Sequence, residues 1–282
     1  MKCSENFALF YLYFSTASAV LSILGALSVM VAIIKFDHLK TFSFKILFYI
    51  SITDFFRGIA AIVQNFASSR YCGFVAFVIN TTFISSTVWA ICLSYTLYQI
   101  VVKEECDFEK KHKYWFFMSF ITVPFLEALP FITNSFSFYD GMCQITLNFI
   151  GNIYRFLLLY IPGLIMIIGM FWLFSKVYFK VKLMSNSVIK NVIFDRGLIY
   201  PIILAVIIVP LTITRAVMAL YLNCSSLHAA LFLNGIVILH GFINSLVFFC
   251  SDSVRNMIAS KNCNTNGTMC SLNISFRSTF NE

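Results

Sequence analysis

Seven apolar runs, each long enough to cross the hydrocarbon core of a bilayer as a helix, dominate this sequence. A spanning helix needs about 20 predominantly apolar residues. The chain supplies such runs over Phe10–Ile34, Phe44–Ala67, Cys72–Val102, Tyr114–Thr133, Ile150–Ser175, Gly197–Leu222 and Leu227–Cys250. Residues are 60% hydrophobic and 11% charged, against about 45–50% and 25% in soluble domains, so a water-soluble fold has no way to hide the apolar surface. The predicted fold class is an all-α membrane protein, a seven-transmembrane helix bundle spanning residues 1–251, followed by a short tail over 252–282. Connections are short and no internal repeat is visible, so sequential helices should be antiparallel neighbours. The first run exceeds the about 7–15 residues of a signal-peptide core, and reads as a spanning helix.

Lysine and arginine set the orientation. Lys35, Lys40 and Lys45 follow the first run; Lys103, Lys110, Lys111 and Lys113 follow the third; Lys176, Lys180, Lys182, Lys190 and Arg196 follow the fifth; Arg255, Lys261 and Arg277 lie in the tail. The other side offers Lys2 and Arg70. The positive-inside rule then predicts the N-terminus outside and the C-terminus inside. The net charge of +8 is spread through these gaps, where anionic lipid explains it, and forms no patch for a nucleic acid.

On this topology Cys3, Cys72, Cys143 and Cys224 face the oxidising exterior, and four cysteines permit three pairings. We favour Cys72 with Cys143, a staple from the top of the third helix to the second outer loop, with Cys3–Cys224 as a second pair. Asp252 to Lys261 places Val254, Met257 and Ile258 at helical spacing, a candidate amphipathic helix on the inner face. Cys263 beyond it is either a palmitoylation site or an ordinary juxtamembrane cysteine.

Ionisable groups at membrane depth are costly and point to function. Asp54 and Arg57, three apart on one helix face, can neutralise each other. His240 and Asn244 lie one turn apart and serve as a switch or as interhelical glue. Glu127 lies in the outer half of the fourth helix. Arg155 and Arg215, near the outer ends of the fifth and sixth, either bind an anionic ligand or snorkel to headgroups. All five prolines fall inside runs, and Pro162, Pro201 and Pro210 are candidate hinges.

Several stretches resemble one family. Phe83, Trp89-Ala90-Ile91-Cys92-Leu93 and Tyr98 in the third run are similar to a tryptophan-bearing stretch of the cyclic-AMP-receptor-like G-protein-coupled receptors of amoebae and protists. Tyr154-Arg155-Phe156 with Tyr160-Ile161-Pro162, then Tyr200 with Arg215, Asp54-Phe55, and His240-Gly241-Phe242 match further positions of that family. Its sixth-helix Cys-Trp pair is replaced by Ile207-Ile208, and no tryptophan flanks Cys143. The resemblance implies a plasma-membrane receptor with an extracellular small-molecule ligand and a heterotrimeric G protein as partners. It also implies sixth-helix movement as the transducing step, and adds Trp89 and Tyr160 to the polar or switch positions.

Other classes find less support. A transporter or channel is the alternative, yet no inverted repeat is present. No His-Glu-x-x-His motif, intramembrane aspartate pair or Ser-His-Asp set marks an enzyme, so no catalytic residue, metal or cofactor is expected. No lysine lies between Leu227 and Cys250 for a retinal Schiff base. The sequon Asn223-Cys224-Ser225 falls in an outer loop, whereas those at Asn266 and Asn273 fall in the tail. Glycosylation mapping of the expressed chain should find no sugar on the tail sites, and sugar on either would reverse the topology.

Overall fold

The computed structural model describes residues 5–36, 39, 42–66, 71–105, 109–139, 142–183, 199–220, 224–251 and 254–255. Helix α1 is Glu5–Lys35, α2 Phe42–Phe66 and α3 Cys72–Val101. The fourth span, α4, is built from Glu109–Phe117, a π-helical turn Met118–Thr122, then Val123–Glu127 and Leu129–Ile132. A hairpin follows, with β1 Phe136–Tyr139 paired antiparallel to β2 Met142–Ile145. The fifth span, α5, comprises Phe149–Tyr154, a π-helical stretch Arg155–Tyr160 and Ile161–Leu183. Helix α6 is Ile199–Leu220, α7 Cys224–Ile238 and α8 His240–Cys250.

Spans α1 to α5 are each long and apolar enough to cross a membrane, and α7 with α8, bent by 41° at the break between them, is so when the pair is taken together. The protein is a multi-pass helical membrane protein. Helix α6 carries a shorter apolar stretch, Ala205–Thr214. Small and polar side chains mark parts of the bundle's inside, and large apolar ones its outside. Leu24, Val31, Ile165 and Ile168 are exposed, as a lipid-facing surface requires, whereas Ser15, Ser18 and Ser22 of α1 are buried. Small residues let helices approach closely where lipid supplies no hydrophobic drive. Many buried hydroxyls bond their own helix, as Ser51 Oγ does to the Leu47 carbonyl and Thr96 Oγ1 to that of Cys92.

Helix α3 is the axis, packing against α2, α4, α5, α6 and the hairpin. Helix α1 lies against α2, α7 and α8. The α1–α8 contact is tight because glycine sits on both sides. A Cβ on Gly241 would lie 2.4 Å from Ser22 Oγ and 2.9 Å from Asp54 Cβ, and one on Gly25 would lie 2.9 Å from the Phe242 Cα.

Proline chemistry explains the two π-helical stretches. Pro124 and Pro162 each follow one closely, and the wider turn accommodates backbone carbonyls that proline leaves without a donor. Pro130 lies in the first turn of Leu129–Ile132, beyond a turn at Ala128. Pro201 falls in the first described turn of α6, and Pro210 lies inside it. The fifth helix runs past the expected Ser175 to Leu183, because the basic segment after it continues the helix. The seventh run breaks at Leu239, just before His240-Gly241, where the backbone of α8 closes on α1.

Cys72 and Cys143 form the expected disulfide, which fastens β2 to the start of α3. Cys224 is also disulfide-bonded; Cys3 lies outside the described residues. So do Arg70, Cys263 and the segment 256–282, while Val254 is buried in the same apolar cluster as Phe44 and Phe248.

Alanine at Gly25 or Gly241 should destabilise the bundle by about 1–3 kcal/mol, the usual cost of overpacking. Gly169→Ala, whose Cβ meets nothing within 4 Å, should instead gain up to about 1 kcal/mol of helix propensity. Thermal unfolding of the purified variants in detergent checks both signs.

Candidate functional site

A cavity opens between α2, α3, α5, α6 and α7 at the hairpin end of the bundle, with about 860 Å³ of empty space, its open mouth included. Strand β2 forms part of its wall through Met142, Cys143, Gln144 and Ile145. The disulfide holds this strand from one side. From the other, the guanidinium of Arg155 donates to the Ile145 carbonyl. Arg155 is 5% exposed, so it turns into the bundle and braces the hairpin. It heads the π-helical stretch of α5, whose last residue, Tyr160, also lines the cavity. Local capping sets this geometry. Asn148 Oδ1 accepts from the Gly151 amide at 2.7 Å and starts α5 directly after β2. A Cβ on Gly151 would meet the Thr146 carbonyl at 2.1 Å, so only glycine fits there.

The rest of the wall mixes apolar groups (Phe83, Leu159, Leu211, Val237) with carboxamides from Gln64, Asn80, Gln144 and Asn234. Asn234 donates to the Tyr11 hydroxyl at 3.0 Å and lies 3.7 Å from the Met142 sulfur. One side chain thus ties α1, α7 and the hairpin together.

Below the cavity lies a cluster of ionisable groups. Arg57 pairs with Asp54, as the i,i+3 spacing anticipates. Arg57 Nη2 is also 3.3 Å from His240 Nδ1, and that nitrogen is 3.2 Å from the Asp54 carboxylate. Asn244 Nδ2 donates to Asp54 Oδ2 at 3.0 Å. All four side chains are buried. The imidazole Nδ1 donates to the carboxylate when protonated and accepts from the guanidinium when not. Taking two charges out of water costs several kcal/mol per ion, and close pairing with additional hydrogen bonds offsets it. The cluster therefore locks α2 to α8 immediately beside the Leu239 break. Arg57 belongs to both regions, since it lines the cavity and pairs with Asp54.

The other sequence-derived positions are dispersed. Trp89 is fully buried and stacks on Tyr49 at 4.5 Å, with His112 and Phe120 close by. Glu127 is 2% exposed, and its Oε2 has no hydrogen-bond partner among the described residues. It is not part of the cavity wall. Arg215 sits on α6, but its side chain is outside the described set. Gln64, Asn80, Gln144 and Asn234 were not singled out from sequence. Three of them are carboxamides inside apolar runs, the signal that could have found them. Among the described residues no three His, Cys, Asp or Glu side chains come together for a metal.

Comparison with known proteins agrees with the architecture. The chain is 24% identical over 175 residues to cyclic AMP receptor-like protein A of Dictyostelium discoideum, covering 62% of this chain and 47% of that protein. It is 23% identical over 148 residues to G-protein coupled receptor 1 of Arabidopsis thaliana, covering 52% and 45%. To cyclic AMP receptor 1 of Dictyostelium discoideum it is 24% identical over 149 residues, covering 51% and 37%. The matched parts thus span about half or less of these relatives' lengths. The profile of the slime mold cyclic AMP receptor family matches residues 3–265. With that match running through every helix described above, the chain belongs to the slime mold cyclic AMP receptor family.

Proposed function

We propose that this protein is a G-protein-coupled receptor of the plasma membrane, a seven-span bundle with α6 as its sixth crossing, the hairpin end outside and the lysine-rich end inside. The observation that carries this reading is the cavity under a doubly braced hairpin, joined through Arg57 to the ion cluster at the α7–α8 break. A ligand in that cavity touches α5, α6 and α7 at once, and its differential affinity for two arrangements of those helices is all that signalling requires. Residues 1–251 would form the receptor domain and 252–282 its cytoplasmic tail. Relatives named as cyclic AMP receptors make cyclic AMP the first ligand to try. Ile207 is buried where the family's Cys-Trp pair would begin, so the ligand-facing chemistry of α6 differs here.

In this reading Arg155 and Arg215 contact the ligand, while Pro162 and Pro210 give α5 and α6 their freedom to bend. Lys176, Lys180 and Lys182 at the end of α5, with Lys180 3.3 Å from Glu104, face the G protein and the anionic inner leaflet.

The test is nucleotide exchange on a co-reconstituted heterotrimeric G protein, with cyclic AMP and a panel of extracellular metabolites and nucleotides. At least one should stimulate exchange through the wild-type chain; none doing so would sink the receptor reading. With the active ligand in hand, Arg155→Ala should lower potency about tenfold or more, the worth of one charge-assisted contact, at unchanged surface expression. Equal potency would remove Arg155 from the ligand contacts and leave it bracing the hairpin alone.

A further inference from the structure

Two donors in the cavity wall meet no acceptor among the described residues. Arg57 Nε and Gln64 Nε2 are buried without a hydrogen-bond partner among the described residues. Both side chains are 2% exposed, and both line the cavity. They stand seven residues apart on α2, two turns along one face. Neither nitrogen can accept a hydrogen bond, and leaving a buried donor unmade is costly. The lining adds a second guanidinium, Arg155, and contains no Asp or Glu. Asp54 lies behind Arg57, outside the wall.

Resting on the receptor reading above, we propose that the cavity binds an anionic oxygen group, carboxylate or phosphate, through Arg57 Nε and Gln64 Nε2. We further propose that the bound anion signals by competing with Asp54 for Arg57. The geometry of the guanidinium makes the competition direct. Nε and Nη2 share one edge of the planar fork, the edge that grips an anion with two parallel hydrogen bonds. Nη2 is already held by Asp54 and lies 3.3 Å from His240 Nδ1. An anion that takes Nε pulls Nη2 with it, and the Asp54 carboxylate is left to His240 and Asn244. The α8 side of the Leu239 break then loses its contact with the Arg57 cation, and its link to α2 is reduced to the His240 and Asn244 bonds on Asp54. Arg57 is thus a ligand contact and the transmitting element in one side chain.

Binding is measured without knowing the natural ligand, by thermal unfolding of the full chain in nanodiscs at constant ionic strength. Inorganic phosphate in phosphatidylcholine discs tests a soluble anion. Discs containing phosphatidic acid, without added phosphate, test a lipid headgroup. Either probe should raise the unfolding temperature in a saturable way. Gln64→Leu keeps the ion pair but removes one donor, and Arg57→Lys keeps the charge but lacks the Nε–H. Each should weaken the effective probe about tenfold. Asp54→Asn removes the competitor and should tighten it several-fold, a gain that a purely structural role for Arg57 does not produce. No saturable shift with either probe, or unchanged affinity in both Gln64→Leu and Arg57→Lys, overturns the proposal. Weaker binding in Asp54→Asn overturns the competition. If Asp54→Asn does not assemble, nucleotide exchange by Arg57→Lys decides that step, because basal exchange should rise when Asp54 holds a less firmly forked cation and a fall would overturn it. Ligand-stimulated exchange that is insensitive to Arg57 and Gln64 would end this inference and leave the receptor reading standing. Phosphate binding as described, with no ligand stimulating exchange, would do the reverse.

Discussion

A buried ion pair inside a lipid-facing bundle imposes strict demands on the helices around it. Asp54 and Arg57 are both nearly fully buried, so most of their hydration has to be replaced by protein groups. Coulombic attraction alone does not repay the loss; further hydrogen bonds to the same atoms are needed. His240 and Asn244 supply them from α8, so α8 has to lie against α2. It can do so only because Gly241 lets its backbone pass beside Ser22 and Asp54. The Gly241 contacts and the two α8 side chains just beyond the Leu239 break converge on this one carboxylate.

The upper half of the bundle is held by different means. There the chain leaves regular helix for a hairpin, and irregular backbone near membrane depth is tolerated where protein or an aqueous cavity surrounds it. A disulfide, a guanidinium on a carbonyl and the Asn234 amide on the Met142 sulfur hold the hairpin from three directions. The result is a rigid rim over a wall of carboxamides and arginines. A braced hairpin above and a charge-locked break below are joined by Arg57, which lines the cavity and pairs with Asp54.

Much of this was legible beforehand. Helices α1 to α4, and the start of α5, fall within a few residues of the expected runs, because hydropathy over about 20 residues is set by the bilayer and not by neighbouring segments. The Asp54–Arg57 pair follows from spacing on one helix, and the Cys72–Cys143 bond from compartment and position. Less visible were features that depend on distant partners. The Met142–Ile145 strand is apolar enough to pass for loop or helix end until β1 pairs with it. Gln64 reads as an isolated carboxamide near a helix end until α7 and β2 enclose it. Glu127 and Arg155 look alike in the sequence, as charges near outer helix ends, yet only Arg155 reaches the cavity.

By itself, the sequence determined that the chain lives in a membrane as a set of helices, which charges sit at membrane depth, and which cysteines are in range to pair. Those properties are local: they depend on composition and on spacing along a single helix. The tertiary structure alone decided that His240 and Asn244 close on Asp54, that the π-helical stretch beginning at Arg155 turns inward under the hairpin, and that Arg57 faces both cavity and cluster. Each of these depends on which helix faces bury against each other. In lipid that choice is made by small residues and polar contacts, which carry no periodic signature.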